Sequence, residues 1–182
     1  MPSEGPRTAE EAGASPDAAA DPRTAEGEGD RPSEAAEPAR PRRLWAVVMV
    51  FDIAVDLPAP HALVTLREVA EPHRLLALPV AMGDATGLAH AWRGATTPRP
   101  LTHELFSEAL VRLGATIEVV RLLGRRAGVV AAELEFTSPR GREVLECRPT
   151  DALTLSIRQG VPAPVLVDER LFDPEGDVDP DA

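Results

Sequence analysis

His61-Ala62-Leu63-Val64-Thr65-Leu66-Arg67-Glu68-Val69 is followed by the pair Glu71-Pro72 and then by His73-Arg74-Leu75-Leu76-Ala77-Leu78-Pro79-Val80. The fold class turns on this stretch. In its first half Leu63, Thr65 and Arg67 fall on one side and Val64, Leu66 and Glu68 on the other, the period of a strand. Glu71-Pro72 reads as a turn, and the second half as a further strand that ends at Pro79. Upstream, Leu44 to Val55 is dense in Val, Leu, Phe and Ile and reads as a buried strand, broken by Asp56-Leu57-Pro58-Ala59-Pro60.

Helical spacing begins only after these strands. Gly83-Asp84 opens the first helix with Asp84 as its expected N-cap, and Ala85, Leu88, Ala89 and Trp92 form the stripe expected to be buried. Thr102 is expected to cap a second helix with Leu105, Phe106, Leu110 and Leu113 on its apolar face and Gly114 at its end. Thr116 to Leu123 and Gly128 to Phe136 read as strands joined by the turn Gly124-Arg125-Arg126-Ala127, and Arg142 to Cys147 as another. A third helix starts at Thr150, carries Leu153, Leu155, Ile157 and Arg158, and is ended by Gly160 and Pro162; Pro164 to Val167 reads as a last short strand. Strands grouped ahead of helices, with several hairpins, point to an α+β fold. The expectation is a mixed, mostly antiparallel sheet of about six to seven strands packed with three helices in one domain.

The chain has 182 residues and a formal net charge of -11, but the acidity sits at its ends. Residues 1–43 hold ten acids and six arginines, residues 168–182 seven acids and one arginine, and residues 44–167 thirteen acids and twelve arginines. The central part is therefore nearly neutral, which excludes a whole-surface basic footprint for nucleic acid while leaving room for a local basic site. Residues 1–43 carry no apolar side chain larger than alanine after Met1. They are expected to be disordered, as is the acidic stretch 173–182, with the folded domain at 44–172. There is no lysine, so every permanent cation is an arginine, suited to bidentate contacts with phosphate or carboxylate. The single cysteine, Cys147, excludes an intramolecular disulfide framework and a Cys-rich zinc site. No secretory signal or bilayer-length apolar run is visible, so the cytoplasm is the expected compartment and no membrane partner is expected.

Two segments echo each other. Arg99-Pro100-Leu101-Thr102-His103-Glu104 and Arg148-Pro149-Thr150-Asp151 each set an arginine and a proline before a threonine and an acid after it, at the start of a helical stretch. A cation, a hydroxyl and the N–H groups of a helix start together suit an anion, phosphate in particular. His61, His73 and His90 are scattered, none at a zinc spacing, and Gly83 and Gly87 lack the Gly-Lys-Ser/Thr of a Walker loop.

The two Arg-Pro segments, taken in order with Leu78-Pro79-Val80-Ala81-Met82-Gly83 before the first helix, make residues 44 to 172 resemble the bifunctional nuclease domain. The usual family patterns are Leu-Pro-Ile-x-Ile-Gly, Arg-Pro-x-Thr-His-Asp and Arg-Pro-Ser-Asp-Ala. The resemblance implies a dimeric α+β fold and a nuclease acting on RNA or DNA. Three places depart from it: Thr86 and Gly87 stand where many members have Glu-Ala, Glu104 where aspartate is usual, and Thr150 where serine is usual.

Phosphodiester hydrolysis needs a neutralised phosphate, an activated water and a stabilised leaving oxygen. On the hydrolytic reading Arg99, Arg148, Thr102 and Thr150 bind the phosphate. Glu104 and Asp151 hold Mg²⁺ or Mn²⁺, and His103 is general base or acid beside these two carboxylates. The other reading is structural. Thr102 and Thr150 are then N-caps, the acids complement the helix dipoles, and Arg99–Asp151 and Arg148–Glu104 pairs tie two helices together, leaving a binding or regulatory module. The metal scheme requires the Glu104 and Asp151 carboxylates to share one cleft.

Overall fold

The computed structural model describes residues 43–55, 58 and 60–173. The expectations for the segments 1–43 and 173–182 lie outside these residues, apart from Arg43 and Asp173. Within them the chain runs β1 (Trp45–Val55), β2 (His61–Glu68), β3 (Leu75–Ala81), α1 (Met82–Trp92), α2 (Thr102–Arg112), β4 (Thr116–Arg126), β5 (Val129–Ser138), β6 (Gly141–Cys147), α3 (Pro149–Arg158) and β7 (Val165–Asp168), followed by a 3-10 turn at Glu169–Phe172. The fold is α+β, with three helices and one open seven-stranded sheet ordered β3-β2-β1-β7-β4-β5-β6. Every neighbouring pair is antiparallel except β4–β7, which makes the sheet mixed.

Alternation decides what the sheet buries. On β2 the residues Ala62, Val64 and Leu66 are buried, and Val64 and Leu66 meet Val48 and Val50 of β1, Leu76 and Leu78 of β3 and Leu88 of α1 in one core. Their out-of-phase neighbours Val47, Met49, Phe51, Leu63 and Leu75 stay exposed on the helix-free face. The half of the core under β4 and β5 is built from Ile117, Val120, Leu122, Ala132 and Leu134 against Ala152, Leu153 and Leu155 of α3. The four-residue β7, last in sequence, sits at the centre of the sheet. It pairs antiparallel with β1 and parallel with β4 and so joins the two antiparallel halves, β1–β3 and β4–β6.

Several local expectations need correction. The β4–β5 turn is the pair Ala127-Gly128, both at positive φ (51° and 78°), the geometry of a two-residue loop that matches strand twist. Gly124, Arg125 and Arg126 therefore belong to β4, with Gly124 buried beside a register shift. None of the three expected caps occupies its place. The N-caps are Ala81, Leu101 and Arg148, so that Asp84 and Thr102 lie in the first turns and Thr150 is buried behind Pro149 at the start of α3. The buried stripe of α1 is Ala85, Leu88 and Ala91, with Trp92 42% exposed. Of the apolar face expected of α2 only Leu110 packs against the core, and it is half-buried; Leu105, Phe106 and Leu113 are exposed, because α2 packs chiefly on α3.

Candidate functional site

The two Arg-Pro segments do converge, through different partners from those their sequences suggest. Arg148 leaves the end of β6 in extended conformation (φ -73°, ψ 144°) and Pro149 starts α3 with φ already helical and no N–H to satisfy. Asp151 follows two positions later, and its own N–H is spent on the Arg148 carbonyl (3.1 Å). Arg148 Nε donates to Asp151 Oδ2 (2.8 Å) and Nη2 to Oδ1 (2.9 Å), a fork-on-fork pair. Its remaining arm, Nη1, reaches 64 residues back in sequence to both oxygens of Asp84 on α1 (2.9 and 3.1 Å).

His103, in the first turn of α2, completes the group: its Nε2 lies 3.0 Å from Asp151 Oδ1. Burial works to raise the Asp151 carboxyl, but the hydrogen bonds from Arg148 and His103 outweigh it and hold it below the usual carboxylate range. An ionised carboxylate only accepts, so Nε2 carries the hydrogen and Nδ1 is left as the basic nitrogen of the neutral ring. That Nδ1 edge faces α1 at Gly87, where an added Cβ would stand 3.5 Å from Nδ1 and 3.6 Å from Cε1. The row Asp84, Arg148, Asp151, His103 thus ties the starts of all three helices together.

Arg148, Asp151 and His103 of this row form one wall of a cavity of about 450 Å³ between α2, α3 and the β5–β6 end of the sheet. Its other walls are apolar, from Phe106, Leu134, Leu145 and Leu155, with Cys147 beside them. Burial, with Asp151, Glu133 and Glu146 nearby, pushes the Cys147 thiol up to about 11, so it is protonated at neutral pH.

Glu104 is elsewhere. Its carboxylate accepts from Leu101 N and Thr97 Oγ1 (2.7 Å each) and from Arg158 Nη1 (3.0 Å), and these contacts hold it below the usual range. It lines a second cleft, on the other flank of α2, with Ser107, Val111 and Gln159. Arg99 is exposed, and no hydrogen bond or ion pair joins its guanidinium to another described residue. Thr102 is exposed at the mouth of the first cavity, whereas Thr150 is 4% exposed and faces the interior. The Arg99–Asp151 and Arg148–Glu104 pairs of the structural reading are not formed; Arg148 holds Asp151, and Arg158 holds Glu104.

The donor set also bears on metal. Among the described residues no three His, Cys, Asp or Glu side chains come together as a set able to hold an ion. Glu104 and Asp151, in separate clefts and each consumed by an arginine, do not fit a shared one. Sequence reasoning missed Asp84 and Gly87 as parts of the site and Arg158 as the partner of Glu104. The acid in the first turn of α1 was visible, but nothing in linear spacing connects positions 84 and 148.

A three-helix α+β domain whose helix starts meet in a histidine–carboxylate–arginine group beside an apolar cavity defines the class. The sequence profile of the bifunctional nuclease domain matches residues 64–178, and the chain belongs to that family. It is similar to two uncharacterized proteins of Mycobacterium tuberculosis, MT1877 of strain CDC 1551 / Oshkosh and Rv1829 of strain H37Rv. Each is 32% identical over 134 residues, spanning 74% of this chain and 78% of the relative. No helix among the described residues is long and apolar enough to cross a membrane.

Proposed function

We propose that this protein hydrolyses phosphodiester bonds of RNA or DNA with low sequence preference. The observation that carries the reading is the 3.0 Å contact of His103 Nε2 with an Asp151 carboxylate already fixed by Arg148. Asp151 orients the ring, and Nδ1, which opens toward the gap at Gly87, takes a proton from the attacking water. As the water oxygen bonds to phosphorus and the ester P–O bond breaks, the leaving oxygen receives a proton from solvent. Arg99 and the Thr102 hydroxyl, both exposed at the start of α2, contact the phosphate. Arg148 contributes charge while its donors stay committed to Asp84 and Asp151.

No step is routed through a divalent ion. Mg²⁺ and Mn²⁺ stay in the test because such ions are often held by one or two carboxylates together with the substrate's own phosphates. We further propose that the protein works in the cytoplasm as a homodimer; the exposed Val111 and Leu113 at the end of α2, away from the cavity, and the open edge of β3 support a second copy, and sedimentation velocity of the purified chain tests it.

A second reading, a non-catalytic anion-binding or regulatory module, is favoured by one observation. Arg148 is already neutralised by two carboxylates, Asp84 and Asp151, so the strongest cation of the site is not free for phosphate. Incubation with single- and double-stranded nucleic acid, with Mg²⁺, Mn²⁺ or chelator, separates the two. Hydrolysis that falls about 10²–10⁴-fold in His103→Ala and Asp151→Asn supports the enzyme. Binding without cleavage supports the module, and cleavage indifferent to both substitutions removes His103 and Asp151 from the chemistry.

A further inference from the structure

The hydrolytic group occupies only one wall of its cavity, and the rest of that cavity has no part in the chemistry described above. About 450 Å³ is within the range of small-molecule sites and far more than a water or a phosphate oxygen fills. Its floor is Leu134 and Leu155, and its sides are Leu145 and the ring of Phe106. A phosphodiester backbone, charged and hydrated, gains nothing from such a surface. A flat, weakly polar ring does: it stacks on an aromatic side chain and buries its faces against aliphatic ones.

The rim is polar on the side toward His103 and Asp151. Glu146 also borders the cavity, but its carboxylate is held by Arg126 Nη1 (3.3 Å) and offers the ligand nothing. Polar groups at the mouth and apolar ones behind suit a ligand whose charge stays outside and whose ring goes in, which is the chemistry of a nucleotide unit.

We propose that this cavity receives one unstacked nucleobase, next to the phosphate presented to His103, and that the protein consequently selects single-stranded over double-stranded nucleic acid. The proposal rests on the hydrolytic reading for the choice of ligand and extends it to a substrate class. A base inside a duplex is unavailable to such a cavity unless it is first unpaired and unstacked, which disfavours duplex; a single strand supplies the base directly. Because the contacts are stacking and aliphatic packing, the selection is by strandedness more than by sequence.

The test reads binding and cleavage separately. Adenosine 5′-monophosphate is titrated into the full-length protein in metal-free buffer and followed by amide chemical shifts. Single-stranded, abasic-containing single-stranded and duplex oligonucleotides of one sequence are then compared for affinity and cleavage. Leu145→Trp fills the cavity from an exposed strand position, and Phe106→Ala removes the ring from an exposed helix position, so neither substitution disturbs the core.

The expected result is saturable nucleotide binding with shifts at residues 102–106 and 145–148. Single strand should exceed duplex at least about tenfold, with a loss of about tenfold in Phe106→Ala and a larger one in Leu145→Trp. Equal handling of single strand and duplex, or single-strand affinity unchanged in Leu145→Trp, overturns the proposal. Nucleotide binding that Leu145→Trp abolishes, without cleavage of any substrate, keeps the cavity's ligand and overturns the hydrolytic reading. Cleavage that ignores strandedness and Leu145→Trp does the reverse.

Discussion

Arg148 spends three donor groups on two carboxylates from different helices, and this decides how Asp151 titrates. The Asp151 carboxyl lies below its ordinary range only because the bonds from Arg148 and His103 overcome its burial. In Arg148→Met the larger of the two lowering hydrogen bonds disappears while burial, the largest single influence, stays, so the Asp151 pKa should rise. Carboxyl ¹³C titration checks this, and an unmoved Asp151 would show that the pair is absent in solution. Gly87 makes a second case. A Cβ there would meet His103 at ordinary contact distance, so Gly87→Ala should keep the His103–Asp151 pair and stabilise α1 by about 0.5–1 kcal/mol, read as a higher melting temperature. A large side chain such as Phe at position 87 should push the ring off Asp151 and abolish any activity that depends on it. The echo of Arg-Pro motifs was enough to select His103, Arg148 and Asp151 from the sequence. It could not select Asp84 or separate Glu104 from Asp151, because identical local spacing says nothing about which way each carboxylate points once the helices are packed.

At the scale of elements α2 stands apart. It has the apolar spacing of a helix with a buried face, yet it buries no residue, and it is held chiefly by contacts with α3, including His103–Asp151 and the Arg158–Glu104 pair. Periodicity reports that a helix has an apolar side; it does not report whether anything covers that side, which is why the expectation for α2 failed while those for β2 and α3 held. The position of β7 was equally illegible: a strand of four residues carries no signal for placement at the sheet centre. The consequence for α2 is local instability. Both side chains of the Arg158–Glu104 pair are only 11% exposed, and in Arg158→Met Glu104 keeps Thr97 and Leu101 N but loses its countercharge. A hydrogen bond to a charged group is worth about 1.5–3 kcal/mol. Amides of residues 103–112 should therefore exchange at least about tenfold faster in this variant, with β4 and β5 unchanged. Uniform acceleration across the molecule would mean that α2 opens only with the whole domain.

At the scale of the molecule the ion pairs fall into a pattern set by composition. With no lysine present, the carboxylates held in the domain are answered mainly by arginines: Glu68 by Arg74, Glu104 by Arg158, Glu135 by Arg121 and Arg142, and Asp151 by Arg148. All four carboxyls are lowered. For Glu68 the Arg74 hydrogen bond dominates, and for Glu104 the bonds from Leu101 N and Thr97. For Glu135, as for Asp151, burial pushes up and the arginine contacts win. A group with a lower pKa folded than unfolded binds fewer protons in the native state between the two values. Its stabilisation is therefore complete above the unfolded pKa near 4 and is lost as pH falls through the folded one. The arginine partners stay charged throughout, and the shifts at Arg74, Arg148 and Arg170 are upward, so they contribute no loss in the ordinary alkaline range. The Cys147 thiol works in the opposite sense: raised to about 11, it gives stability that is full below its unfolded value near 8.5 and declines above it. Urea unfolding should accordingly show a plateau from about pH 5 to about pH 8.5, a steep fall on the acid side driven by four carboxyls, and a shallow one on the alkaline side driven by one thiol. Cys147→Ser should remove the thiol's contribution to the alkaline slope and leave the acid limb in place, whereas a midpoint unchanged down to pH 3 would mean that the arginine–carboxylate pairs contribute no net stability to the folded chain.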